Sequence, residues 1–195
     1  PMHGHVEGHA ASPLLVDGVL VVGFGVLMGL DPSTGETRWE AGTFRDYGTP
    51  AVLPGPGGGT VVTADGRRIR ARDGSVVKAG DPLTYYTSPV VTQGQVYVTG
   101  ATSDDAGRPK ARAARLSKGS GTTPAWSAPL DEARHHVSPL LVDGLLYALS
   151  VRGALRVLQS SDGALVYEKK LDLERPQASI SHAGGKLFVF DSEGR

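Results

Sequence analysis

The sequence predicts an all-β fold, a β-propeller of four-stranded antiparallel blades, and three observations carry that reading. The phrase SPLLVDG stands at residues 12–18 and returns unchanged at residues 138–144. Aligned on its proline, the chain repeats: Pro13, Pro50 in TPAVL, Pro89 in SPVVTQG, Pro139, and a degraded copy, SISHAGG, with Ile180 in the proline's place. The steps are 37, 39, 50 and 41 residues. Finally, the apolar runs are short and β-branched, without helical periodicity, and 27 glycines and 13 prolines punctuate the 195 residues. Repeated four-stranded units of about 40 residues are the signature of propeller blades.

Within each copy the elements follow one order. A first run, Leu14 to Val16, meets Asp17-Gly18, a pair that favours a two-residue hairpin because Gly takes positive φ freely and Asp tolerates it. The partner run is Val19 to Val22, or Leu145 to Leu149 in the fourth copy. A glycine-containing turn leads to a third run, Val26 to Leu30 or Leu155 to Leu158. A second turn, at Ser33-Thr34-Gly35 or Ser161-Asp162-Gly163, leads to a fourth run that ends at Trp39 or Tyr167. The blades fall at about residues 1–41, 42–80, 81–128 and 129–171, with a partial one over 172–195. The long third step holds an insertion, SDDAGRPK at 103–110, expected as a surface loop. Burial explains the repetition. One small sheet cannot cover both of its apolar faces, whereas radial stacking covers both, and Trp39, Trp126 and Tyr167 are placed to fill the gaps between blades. The prolines suit the start of an innermost strand, where a missing N–H can face the central channel.

Composition narrows the function classes. Twenty basic residues balance twenty acidic ones, which argues against a globally basic nucleic-acid binder. No cysteine is present, so disulfides and thiolate metal sites are excluded. No apolar run is long enough to span a bilayer. The chain opens at Pro1 without a charged segment and apolar run, which reads as a processed or partial chain. Nucleophilic machinery is not evident: no G-x-S-x-G and no H-E-x-x-H occurs. The sequence Gly23-Phe-Gly25-Val-Leu-Met-Gly29 imitates a dinucleotide loop, but Leu-Asp-Pro-Ser-Thr-Gly follows and cannot open a helix, so it reads as an inter-strand turn. Arg67-Arg68-Ile69-Arg70-Ala71-Arg72 is the one basic cluster; alternation puts Arg68, Arg70 and Arg72 on one side, either as a solvated or acid-paired surface or as an anion site.

The repeat also says which distant residues should be neighbours. Positions three and four before each anchor lie in the loop entering an innermost strand, and in a propeller these loops converge on one mouth of the channel. They are His9 in the first blade, Asp46 and Tyr47 in the second, Tyr85 and Tyr86 in the third, His135 and His136 in the fourth, and Pro176 with Gln177 in the fifth. Such side chains can hydrogen-bond, stack or bind metal, although channel mouths are generally polar. A second candidate is His3-Gly-His5-Val-Glu7-Gly-His9, whose imidazoles and carboxylate could take zinc or copper if the segment folds back on itself.

Gly29-x-Asp31-x-x-Thr34-Gly35-x-x-x-Trp39 resembles the tryptophan-docking motif of quinoprotein-like propellers, whose usual form begins with Ala. Val157-x-Gln159-x-x-Asp162-Gly163-x-x-x-Tyr167 keeps the spacing and loses most identities. With SPLLVDG, the whole chain is similar to the pyrroloquinoline-quinone-like (PQQ-like) repeat superfamily. That group holds quinone-dependent alcohol dehydrogenases, outer-membrane-assembly lipoprotein propellers and secreted bacterial propellers. The resemblance implies a ring of seven or eight blades, of which about four and a half are present here, and a periplasmic or secreted location. It also implies that the rest of the ring comes from further blades of a parent chain or from a second copy, because an open ring leaves apolar faces in water. Two functions follow. The favoured one is a non-catalytic scaffold, with no resident cofactor, that binds a protein or small ligand through its loop face. The alternative is part of a dehydrogenase carrying PQQ on Ca²⁺ in the channel, with a carboxylate as base. Those enzymes commonly cover the quinone with a disulfide between adjacent cysteines, which this chain lacks, and Asp46 is the only carboxylate in the inferred ring.

Overall fold

The computed structural model describes residues 11–44, 47–80, 86–103, 109–117, 123–131 and 135–194, with only the backbone for 101–103 and 109–110. All regular elements among them are strands. β1 (Leu14–Val16), β2 (Val19–Gly23), β3 (Gly25–Leu30) and β4 (Thr37–Phe44) pair in sequence order as the first antiparallel blade. The second holds β5 (Ala51–Leu53), β6 (Thr60–Val62), β7 (Arg68–Arg70) and β8 (Val76–Lys78). The third holds β9 (Val90–Thr92), β10 (Gln95–Ser103), β11 (Pro109–Leu116) and β12 (Trp126–Pro129). The fourth holds β13 (Leu140–Val142), β14 (Leu145–Leu149), β15 (Ala154–Gln159) and β16 (Leu165–Lys170), and a fifth sheet pairs β17 (Ser181–Ala183) with β18 (Lys186–Phe188). The first hairpin turn has the expected form, with Asp17 at φ 50° and Gly18 at φ 70°, and the fourth blade repeats it at Asp143 and Gly144. No helix among the described residues is long and apolar enough to cross a membrane.

The insertion is built differently from the loop expected. Ser103 belongs to β10 and Pro109 and Lys110 to β11, so the extra residues lengthen the central hairpin of the third blade. Residues 104–108 lie outside the described residues.

There is one apolar core per junction rather than one for the molecule. Between the first and second blades, Val19, Val21, Leu27, Trp39 and Phe44 meet Val61, Ile69 and Ala71. Val62, next to Val61, faces the other way and packs with Val96, Val98 and Leu116 of the third blade. Tyr97, Ala113 and Trp126 of that blade meet Leu146, Ala148 and Leu158 of the fourth. Leu149, Leu155 and Val157 then pack against Ile180 of the fifth. Alternate residues of each strand serve alternate junctions, as the pleat requires.

Tryptophan locks two of these junctions. The Trp39 indole N–H donates to the Ala71 carbonyl of the next blade at 2.8 Å, and Trp126 does the same to Ser160 at 2.9 Å. Each ring lies flat against the glycine of the neighbour's outer turn. A Cβ on Gly74 would sit 2.7 Å from the Trp39 ring, and one on Gly163 would sit 2.6 Å from Trp126. Gly29 stands where the motif usually has Ala, and here the Trp39 indole occupies the place a Cβ would take. In the second blade Lys78 takes the equivalent position and is buried; in the fourth, Tyr167 remains 43% exposed beside the exposed Leu165 and Val166.

The arginine cluster forms inter-blade ties. Arg67 donates to the Ala41 and Thr43 carbonyls of the first blade, at 3.1 and 3.0 Å, and the buried Arg68 donates to Ser117 of the third at 2.7 Å. Arg70 and Arg72 both lie beside Asp73. Alternation places Arg68 opposite Ile69 and Ala71, as found, but at Arg68 that side is covered by the third blade rather than solvated.

Trp39→Ala is expected to lower stability by about 3–5 kcal/mol in urea unfolding, the range for deleting a large buried aromatic. Trp39→Phe should cost about 1–3 kcal/mol through the unpaired Ala71 carbonyl, and Tyr167→Ala less than about 1 kcal/mol, as for an exposed side chain. Equal losses at Trp39 and Tyr167 would contradict the docking account.

Candidate functional site

The loops that enter the innermost strands are held side by side by one repeated hydrogen bond. The backbone N–H of Ser12 donates to the Thr49 hydroxyl, that of Thr49 to the Ser88 hydroxyl, and that of Ser88 to the Ser138 hydroxyl, each at 2.9 Å. Each residue immediately precedes the anchor proline of its blade. Since proline has no N–H to bond, the residue before it carries the tie. Ser and Thr suit the position because one hydroxyl accepts from the preceding blade while the backbone donates to the next.

Two residues upstream of these ties the side chains form an aromatic ladder. The Tyr47 and Tyr86 rings are stacked, with centroids 5.1 Å apart and planes 4° from parallel. The next rung is His136, 4.4 Å from Tyr86 and tilted by 34°. Tyr47, Tyr86 and His136 come from three successive blades and each is half-buried, so one edge of the column faces solvent. Stacked aromatics at this spacing attract one another modestly and offer π-faces to a further planar group.

His135, one residue before the last rung, turns inward and is buried. Its Nε2 lies 2.8 Å from Asp131 Oδ1, while its Nδ1 is buried without a hydrogen-bond partner among the described residues. Burial by itself would raise the Asp131 carboxyl, but hydrogen bonds from His135 and Ser150 outweigh it and hold the group below its ordinary value of 3.8. The Ser150 hydroxyl thus bonds the carboxylate rather than the imidazole, so the trio lacks the nucleophile–base contact that acyl transfer needs. It ties the loop before β13 to the end of β14.

Of the other positions read from the repeat, Gln177 is exposed and Pro176 buried. His9, Asp46 and Tyr85 lie outside the described residues, as do His3, His5 and Glu7 of the terminal histidine run. Sequence reasoning missed Asp131 and Ser150. Only the four-residue gap between Asp131 and His135 pointed to the first, and nothing local pointed to the second.

A quinone held on Ca²⁺ needs several oxygen donors at one point. Among the described residues no three His, Asp or Glu side chains converge at one point.

A family model described as the outer membrane protein assembly factor BamB matches residues 3–195. No curated protein matches the chain at a significant level. Among solved structures, BamB from Moraxella catarrhalis superposes with a TM-score of 0.71 at 19% identity, covering 95% of this chain and 56% of that one. A quinohemoprotein alcohol dehydrogenase from Comamonas testosteroni gives 0.61 at 15% identity, covering 93% and 39%. The WD40 domain of coronin from Toxoplasma gondii gives 0.53 at 18% identity, covering 84% and 46%. At these identities the likeness establishes the β-propeller fold, and the chain spans about half the length of the BamB structure, 56% of it, and less of the dehydrogenase.

The Asp131 carboxyl has a depressed pKa in the folded chain, so its contribution to stability is complete above the ordinary value of 3.8 and is lost as pH falls through the folded value. Urea unfolding of the wild type and Asp131→Asn across that acid range should therefore show a stability difference that shrinks with falling pH. A difference that is constant or grows would sink the assignment.

Proposed function

The chain belongs to the family of the outer membrane protein assembly factor BamB, with its PQQ-like repeats, and from that premise we propose that it is a non-catalytic scaffold of the bacterial periplasm or cell exterior. Its loop face, the mouth lined by Tyr47, Tyr86 and His136, takes a protein partner that presents a planar or aromatic group to the column. The ladder supports this reading more than any other observation. Three rings from three blades form an ordered, half-exposed π-surface, and aromatic surfaces of that kind are enriched where proteins meet partners. The repeat assigns His9, Asp46, Tyr85 and Gln177 to the same proposed mouth, while His135, buried against Asp131, does not present its ring there.

The second reading, a PQQ- and Ca²⁺-dependent dehydrogenase, is favoured by the likeness to quinohemoprotein alcohol dehydrogenases. Opposing it is the lack of the adjacent cysteines that commonly cover the quinone in such enzymes. Further blades, from a longer parent chain or a second copy, are the partner proposed for the apolar surface at Leu165, Val166, Tyr167, Phe188 and Phe190, all of which are more than 40% exposed.

Two experiments test these proposals. Extended peptides with and without an aromatic residue are offered to the chain and followed by fluorescence anisotropy. Binding should require the aromatic and weaken by about tenfold in Tyr86→Ala, the loss of roughly one good stacking contact; binding indifferent to both changes overturns the scaffold site. Separately, incubation with Ca²⁺ and the quinone should yield neither quinone absorbance in the protein fraction nor dye-linked alcohol oxidation, and turnover would establish the dehydrogenase instead.

A further inference from the structure

At the far end of the innermost strands from the aromatic ladder, the junction of the third and fourth blades opens into a cleft of about 300 Å³. Its wall is built from the hairpin turns that end β9 and β13 and from the outer turn after β15. Thr92, Gln93, Gln95, Asp143 and Ser160 bring their polar groups to it. None of these five side chains hydrogen-bonds to another described residue, although Trp126 donates to the Ser160 backbone carbonyl beside the cleft. Tyr97 and Leu141 supply an apolar floor.

The equivalent junction between the first two blades is closed. There Asp17 Oδ2 accepts the Gly59 backbone N–H across the gap at 2.5 Å. The strand registers make Gln93 the counterpart of Asp17, since Thr92 pairs with Gln95 as Val16 pairs with Val19. They make Gly144 the counterpart of Gly59, since Leu145 opens β14 as Thr60 opens β6. No corresponding bond joins Gln93 to Gly144, and a Cβ built on Gly144 would meet nothing nearer than the Ser160 hydroxyl at 4.0 Å. The third blade thus forgoes the tie that seals the same place in the first. The backbone is the same in both turns, Gln93 at φ 46° and Asp17 at φ 50°, so the difference lies in the side chain.

The chemistry of the wall selects the ligand. Two hydroxyls and two amides each both donate and accept, and the carboxylate accepts. The wall contains no lysine, arginine or histidine, which removes the charge that phosphate and carboxylate ligands need. A single carboxylate with no second acid falls short of a cation cage. Groups that donate and accept at once, set over an apolar floor, match a ring of hydroxyls with C–H faces. The volume, at the small end of the range for ligand sites, suits one or two such rings. We propose that the cleft between the hairpin turns of the third and fourth blades binds a neutral saccharide, free or at the end of a larger glycan.

The test is amide chemical-shift titration of the chain with N-acetylglucosamine, maltose and maltotriose, the last standing for a glycan end. Saturable shifts are expected at Gln93, Gly94, Gly144 and Ser160 with at least one of the three. The free-ligand arm is the response to the smallest sugar, and a response to maltotriose alone assigns the site to a glycan end. Asp143→Asn, which keeps a residue type that tolerates positive φ, and Gln95→Ala should each weaken binding by about tenfold, as for one lost hydrogen bond to a buried or charged partner. Unchanged shifts elsewhere in the spectrum of each variant show that it has folded. Failure of all three sugars to give saturable shifts, affinities untouched by both substitutions, or equal shifts with sodium phosphate or spermidine would overturn the assignment.

Discussion

The stacked four-stranded sheets in this chain are narrow and carry apolar residues on both faces, and the structure depends on covering both at once. Val61 and Val62 show the constraint in two adjacent residues, one committed to the first junction and the other to the second. A single blade would leave one of them in water, at a cost of about 1.5–3 kcal/mol per large aliphatic side chain. Radial stacking removes that cost at every junction, so the repeat is a packing requirement written along the chain. Stability is then a series of nearest-neighbour terms, and each junction is free to be sealed in its own way.

The junctions are in fact sealed differently. Tryptophan locks the outer part of the first and third, where it pairs with a glycine turn and a backbone carbonyl of the next blade. At the second, Arg68 reaches forward from the second blade to Ser117, while Arg67 reaches back across the first. Near the axis the hydroxyl ties run through the first three of the four junctions, and they matter more for position than for energy, since a net hydrogen bond contributes only about 1 kcal/mol. By fixing the backbone of neighbouring loops in parallel, they bring Tyr47, Tyr86 and His136 into one column. Where a sealing element is missing, as at Gln93, the same geometry leaves a cleft.

Much of this could be read from the residues in order. Asp-Gly pairs marked the hairpins, the proline spacing marked the blades, and matched offsets from the prolines singled out the ladder positions. The structure departs from that reading where a residue's surroundings come from another blade. Arg68 looked like a surface charge because alternation knows nothing of the third blade behind it. The insertion looked like a loop because length does not reveal that two strands can grow together. Asp131 and Ser150 went unnoticed because their link to His135 exists only once the loop before β13 lies against the end of β14.

By itself the sequence determined the class of fold, the strand order within each blade and which positions of different blades are equivalent. These follow from local turn chemistry and from a period that only stacked sheets satisfy. Tertiary structure alone decided which equivalent residues touch, which of a pair such as His135 and His136 turns inward, and which junction stays open. Those outcomes depend on distances across the gap between blades, and a repeat specifies that gap only on average.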